Sequence, residues 1–92
     1  MIKKYRKKPV VVEAVLLSDK NIDEVLEWIN EDKKIAYRSQ LKTGDAILIN
    51  TLEGSRFART GRNWIIKGIN GKFYLCEHTI FLKTYEPMKS EE

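Results

Sequence analysis

The side chains able to bind or react fall into a few groups. Arg56, Arg59 and Arg62, with Lys67, spread over two neighbouring predicted strands and the turn between them, and Tyr37-Arg38 adds a further point. Aromatic residues interleave with these cations: Tyr5, Phe57, Trp64 and Tyr74. Guanidinium forks grip phosphate oxygens through paired hydrogen bonds, and aromatic planes stack on bases, so this mixture suits nucleotide recognition. The plainer reading is a solvated sheet face over core aromatics. The number of arginines on so short a meander exceeds what solubility requires. Arg38, Arg56, Arg59 and Arg62 are therefore candidate phosphate contacts. Tyr37, Phe57 and Tyr74 are candidate base or ribose contacts, and Trp64 is assigned to the core. A second basic group, Lys3, Lys4, Arg6, Lys7 and Lys8, forms an arm at residues 1–8 that suits the phosphates of a nucleic acid.

Other chemistries find less support. Cys76-Glu77-His78 is the only soft cluster, but a closed zinc site wants four ligands and the chain has one Cys and one His. On a strand, Cys76 and His78 would share a face, which is the minimum for a thiol–imidazole pair. No Asn or Asp stands nearby to orient that pair, and a free Cys usually serves as a small buried hydrophobe. Glu27 and Glu31 are spaced to share the solvated side of a helix and read as ordinary surface charge. Gly68 to Gly71 reads as a hairpin turn, and the phosphate-loop pattern G-x-x-x-x-G-K-[ST] is absent. No cofactor and no metal are expected.

Composition sets the outer bounds. The 92 residues fit one domain, with 42% hydrophobic and 10% aromatic residues to build a single core. A domain of this size is marginal alone, so self-association is expected to help it. There are 17 Lys and Arg against 13 Asp and Glu, a net charge of +4 that points to an anionic partner. No apolar run is long enough to span a membrane. The apolar stretch after the basic arm holds Glu13 and ends in Ser18-Asp-Lys-Asn21 with no small-residue cleavage site, which argues against a signal peptide. The single cysteine fits a reducing cytosol. No repeat or low-complexity tract appears, and the acidic tail at residues 89–92 is expected to fray.

These residues must be positioned by regular elements. Val10 to Leu17 reads as a strand, β-branched and apolar on both faces, hence an interior strand. Asn21 and Glu24 form a capping-box pattern, and Ile22, Val25, Leu26 and Ile29 make one helical stripe, which predicts a helix over 22–32. Ile35–Arg38, Ala46–Leu52, Ser55–Arg59, Trp64–Ile69 and Lys72–Cys76 read as strands. Turns fall at 42–45, 53–54, 61–63 and 70–71. Asn70-Gly71 is a type I′ hairpin signal, because that turn needs positive φ at both central residues. Glu77–Leu82 reads as one helical turn and Thr84–Met88 as extended chain. The predicted fold class is α+β: a strand, a helix, then a β-meander, forming a curled antiparallel sheet packed on one helix.

Several segments together resemble a family of small proteins encoded by tailed phages and prophages of Gram-positive bacteria. They are Lys4-Tyr-Arg-Lys-Lys-Pro-Val-Val-Val-Glu-Ala14, Asn21-Ile-Asp-Glu-Val-Leu-Glu27, Thr51-Leu-Glu-Gly54, Trp64-Ile-Ile-Lys-Gly-Ile-Asn-Gly71 and Ile80-Phe81 with Lys83-Thr-Tyr-Glu-Pro87. The resemblance covers nearly the whole chain. Here Gly61-Arg62-Asn63 precedes Trp64 where the family reads Gly-Asp, so an acidic turn has become basic. Residues 75–77 also differ, Leu-Cys-Glu standing where a Pro-Cys pattern is common. The resemblance implies an accessory protein acting in the host cytoplasm and carries over no catalytic residue. The expected role is a counter-defence protein that sequesters a small anionic, nucleotide-type host immune signal without catalysis, as a homo-oligomer. The alternatives are a nucleic-acid-binding accessory acting through the basic arm, or an inhibitor of a host protein.

Overall fold

The computed structural model describes residues 1–51 and 53–88. The strand predicted to end at Leu52 and the tail at 89–92 therefore run partly or wholly outside the described residues. The chain forms β1 (Glu13–Leu16), α1 (Ile22–Ile29), β2 (Ala36–Leu41), β3 (Gly44–Thr51), β4 (Gly54–Arg59), β5 (Asn63–Lys67), β6 (Phe73–Glu77) and α2 (His78–Thr84). This is an α+β fold with all strands antiparallel. It differs from the expected single curled sheet on one helix. The strands divide into two three-stranded sheets, ordered β1-β5-β6 and β2-β3-β4, and there are two helices. Neither helix is long and apolar enough to cross a membrane.

The two sheets share one core. In the first sheet Val15, Ile65 and Leu75 stand opposite one another across β1, β5 and β6. In the second, Ile47 faces Ala58, and Ala36 faces Ile49. Side chains on a strand alternate between faces, so these rows define the inner face of each sheet. Ile22, Val25 and Ile29 on α1 close the core against both, joined by Leu17 from the end of β1. The other face of the first sheet is covered by α2, where the Trp64 and Phe81 rings stack at 3.7 Å. Trp64 is half-buried in this layer beneath α2 and lies outside the main core cluster to which its assignment pointed.

This second layer explains a misreading of β1. The strand is shorter than Val10–Leu17, with Val10 and Val11 exposed, and it lies at a sheet edge rather than in the interior. Its apolar residues on both faces meet two layers, the α1 core and the layer under α2. Alternation reports how many faces are covered and is silent about lateral position.

Two asparagines anchor the ends of α1. The helix starts where the stripe predicts but ends at Ile29 instead of 32. Asn21 makes no capping bond. Its amide accepts from the Ser18 N–H and donates to the Leu16 carbonyl, tying the helix start to β1. Asn30 ends the helix by turning its side chain to the start of β2. Oδ1 accepts from the Ile35 and Ala36 N–H groups at 2.8 and 2.9 Å, and Nδ2 donates to the Ala36 carbonyl at 3.0 Å. Asn30→Ala leaves these partly buried groups unpaired. It is expected to cost about 2 kcal/mol and on the order of 10 °C in thermal melts followed by circular dichroism. A loss below about 0.5 kcal/mol would refute this anchoring role.

The hairpin at 68–72 also differs from its prediction. Asn70 does not adopt positive φ, whereas Gly71 does, at 78°. Gly71 N–H donates to the Gly68 carbonyl and Gly68 N–H to the Lys72 carbonyl. This is a three-residue loop in which a type I turn is followed by a left-handed glycine, so the Asn-Gly pair sits one step later than a two-residue turn requires.

Candidate functional site

The link between the sheets builds a groove. After Arg59 the chain turns through Thr60-Gly61-Arg62, with Gly61 at φ 75° and its N–H bound to the Leu17 carbonyl at 2.7 Å. A left-handed conformation there favours glycine, which has no Cβ to clash. Asn63 Oδ1 accepts from the Arg59 N–H at 2.9 Å, and the Arg62 carbonyl accepts from the His78 N–H at 2.8 Å. These bonds hold the end of β4, the turn and the start of α2 together. Around them Phe57, Arg59, Arg62, Glu77, His78 and Thr79 line an open groove of about 530 Å³.

The charges in this groove are arranged unevenly. Arg59 and Arg62 are exposed, and among the described residues the only ion pairs belong to Arg38. The Glu77 Oε1 accepts from the Thr79 hydroxyl at 2.9 Å. The Trp64 indole N–H donates to His78 Nδ1 at 2.9 Å, which leaves Nε2 of the neutral ring as its N–H donor. The groove therefore gathers two arginines, the exposed Phe57 ring, a carboxylate acceptor and an imidazole in one lining.

The remaining candidates are not brought here. Arg38 lies on the inner side of β2, opposite Ile47, and its guanidinium contacts Asp23 of α1 at 2.8 Å and Asp45 at 3.7 Å. Its charge serves to link α1 to the second sheet. Arg56 is exposed at the edge strand β4, opposite Ile49, on the face away from Phe57. Arg56, Arg59 and Arg62 do not flank a β4–β5 hairpin as expected, because β4 and β5 belong to different sheets. Tyr37 lies on the outer face of the second sheet, in the same row as Phe57.

Tyr74 belongs to another region. It stands opposite Ile66 on β6, and its hydroxyl is 3.3 Å from that of Tyr85. Beside it, Lys7, Lys8 and Val10 meet the Gly68–Asn70 turn and Tyr85 around a second open groove of about 640 Å³. Lys3, Lys4 and Arg6 are exposed further along the arm. Burial, the Tyr85 hydroxyl and the nearby Cys76 together push the Tyr74 phenol up to about 12 from its ordinary 10.0. The fold thus favours the neutral phenol. This contribution is fully present below pH 10 and is lost as pH rises through 12. Absorbance titration is expected to show one tyrosine ionising near pH 12, and Tyr74→Phe to remove that step. Loss of a different step on this substitution would refute the assignment.

Cys76 and His78 do not share a strand face. The strand ends at Glu77, His78 opens α2, and its Nδ1 is already engaged by Trp64. The Cys76 thiol instead points its hydrogen at the Glu77 carbonyl, 3.6 Å away. Among the described residues no group of three or more His, Cys, Asp or Glu is placed to hold a metal ion. The turn geometry that joins Arg59 to His78 had no sequence signal beyond Gly61 itself, since the contact spans two sheets. No known family model, no curated protein and no solved structure matches this chain.

Proposed function

We propose that this protein sequesters a small anionic, nucleotide-type ligand in the Phe57–Arg59–Arg62 groove, without catalysing its conversion. The observation that supports this most is a groove lined by two exposed arginines, without ion pairs among the described residues, and an exposed aromatic ring. Arginine stays charged at all physiological pH values and matches phosphate with paired donors. Phe57 supplies a stacking surface that accepts any base. Glu77, in the same lining, would repel a phosphate but accepts from a ribose hydroxyl or a base amine. The phosphate therefore belongs at the arginines. The host-cytoplasm setting, and a counter-defence role against an immune signal, rest on the sequence resemblance to phage proteins.

Calorimetric titration against a panel of cyclic nucleotides and cyclic ADP-ribose isomers tests this reading. Saturable binding by at least one of them is expected, with the ligand recovered unchanged after incubation. No binding across the panel would overturn it. Native mass spectrometry of protein taken from infected cells adds the assembly state and any retained ligand in one spectrum.

The basic arm favours a second reading. Lys3, Lys4, Arg6, Lys7 and Lys8 are all exposed and make no ion pair among the described residues. Binding of DNA or RNA through this arm would weaken steeply with salt, and it would be lost on neutralising the lysines.

A further inference from the structure

We infer that the ligand carries two bases, because the outer face of the second sheet adds a second stacking platform beside the groove. This rests on the nucleotide reading of Phe57, Arg59 and Arg62 and extends that site. Across β2, β3 and β4, Tyr37 stands opposite Leu48, and Leu48 opposite Phe57. The three side chains form one row on the face turned away from the core. Tyr37 is 43% and Phe57 44% exposed, so two aromatic rings on this face meet solvent. Two strand spacings place their backbones about 9.6 Å apart. Stacked neighbours on one strand lie only about 3.4 Å apart. A linked pair of bases would have to splay, one base over each ring, as bases do on the aromatic sheet faces of single-strand readers.

Charge on this face fits a phosphodiester. The outward positions of β2, β3 and β4 hold no Asp or Glu, and Asp45 belongs to the inner face with Gln40. The Lys34 ammonium lies 5.1 Å from the centre of the Tyr37 ring. Arg59 follows Phe57 by two residues on the same face. One cation thus lies over the Tyr37 ring, and another follows Phe57 along its strand. The platform is also short. Lys7 and Lys8 of the basic arm lie by the β5–β6 turn and the end of α2, on the other sheet. Two rings and two flanking cations suit a dinucleotide rather than a long strand.

The test is a titration series of mononucleotides, dinucleotides and hexanucleotides of adenine, guanine and uracil. It compares the unaltered chain with Tyr37→Ala, Tyr37→Phe and Phe57→Ala. The best dinucleotide is expected to bind at least about tenfold more tightly than its mononucleotide, as one added stacking contact implies. The hexanucleotide gains nothing further per site. Tyr37→Ala abolishes the tenfold gain and leaves mononucleotide binding unchanged, Tyr37→Phe retains the gain, and Phe57→Ala weakens both. Equal binding of mono- and dinucleotide, untouched by Tyr37→Ala, overturns the two-base inference and leaves the nucleotide groove standing. Affinity that climbs to the hexanucleotide overturns it in favour of single-stranded nucleic acid. A dimer dispersed by Tyr37→Ala, with no effect on nucleotides, assigns the face to a second copy. Absence of all binding overturns both readings.

Discussion

A protein carrying Arg59→Gln and Arg62→Gln is expected to bind its nucleotide-type ligand at least about a hundredfold more weakly than the unaltered chain. Each hydrogen bond from a charged donor contributes about 1.5–3 kcal/mol, and every 1.4 kcal/mol is tenfold in affinity. Two such losses reach a hundredfold even at the lower end. The fold should hardly register the change. Both side chains are exposed and make no ion pair among the described residues, and the bonds that shape the turn come from backbone groups and from Asn63. Surface changes of this kind stay within about 0.5 kcal/mol, or about 4 °C in melting temperature for a domain of this size. Arg38→Gln is the matched control. It removes the contacts to Asp23 and Asp45, costs at most about 1 kcal/mol as an exposed pair, and leaves ligand binding unchanged. Calorimetric titration of the three proteins decides the matter. Equal affinities for the double variant and the unaltered chain would remove these arginines from the site.

The largest expected loss of stability comes from Ile65→Ala. Ile65 is fully buried in the central strand of the first sheet, between Val15 and Leu75, and faces the core that α1 closes. Cutting a buried isoleucine to alanine costs about 2–5 kcal/mol, through lost transfer energy and the cavity left behind. A domain of this length holds only about 5–14 kcal/mol in total. The variant should melt at least about 10 °C lower, and its urea midpoint should fall in step without a change of slope. Ile65→Val, which removes one methylene, grades the effect at about 0.5–1.5 kcal/mol. A cost for Ile65→Ala below 1 kcal/mol would mean that the inner faces of the two sheets do not close on one core.

Some elements were legible because their signals are local. The stripe Ile22, Val25, Leu26 and Ile29 predicts α1, and its buried residues are the ones the stripe names. The two hairpins around 42–45 and 53–54 form as expected, since a hairpin pairs neighbours in sequence, but β2 runs on to Leu41, and Gly44, Asp45 and Gly54 belong to strands. The split of the meander was not legible. Gly61 marks a turn, but a turn does not say whether the next strand returns to the last one. Here β5 leaves β4 and pairs with β1, far back in the chain, because Ile65 and Val15 complete one apolar row. The end of α1 was missed for a related reason. Asn30 stops the helix by bonding to Ile35 and Ala36, which reach it only once β2 is in position.

The amino-acid sequence by itself determined the α+β class, the single α1 stripe and the pool of arginines and aromatics from which a site is drawn. Periodicity and turn chemistry act over a few residues, so one chain displays them without its fold. Only the tertiary structure decided which members of that pool meet. Arg38 and Tyr37 are neighbours in sequence, yet the two-residue period of a strand sends them to opposite faces. One is bound to Asp23 of α1 and the other opens to solvent. Arg59 and Arg62 meet Glu77 and His78 because the chain crosses between sheets at Gly61. Which face a helix covers, and which strand a turn delivers, depend on apolar rows closing over long separations, and no local pattern carries that information.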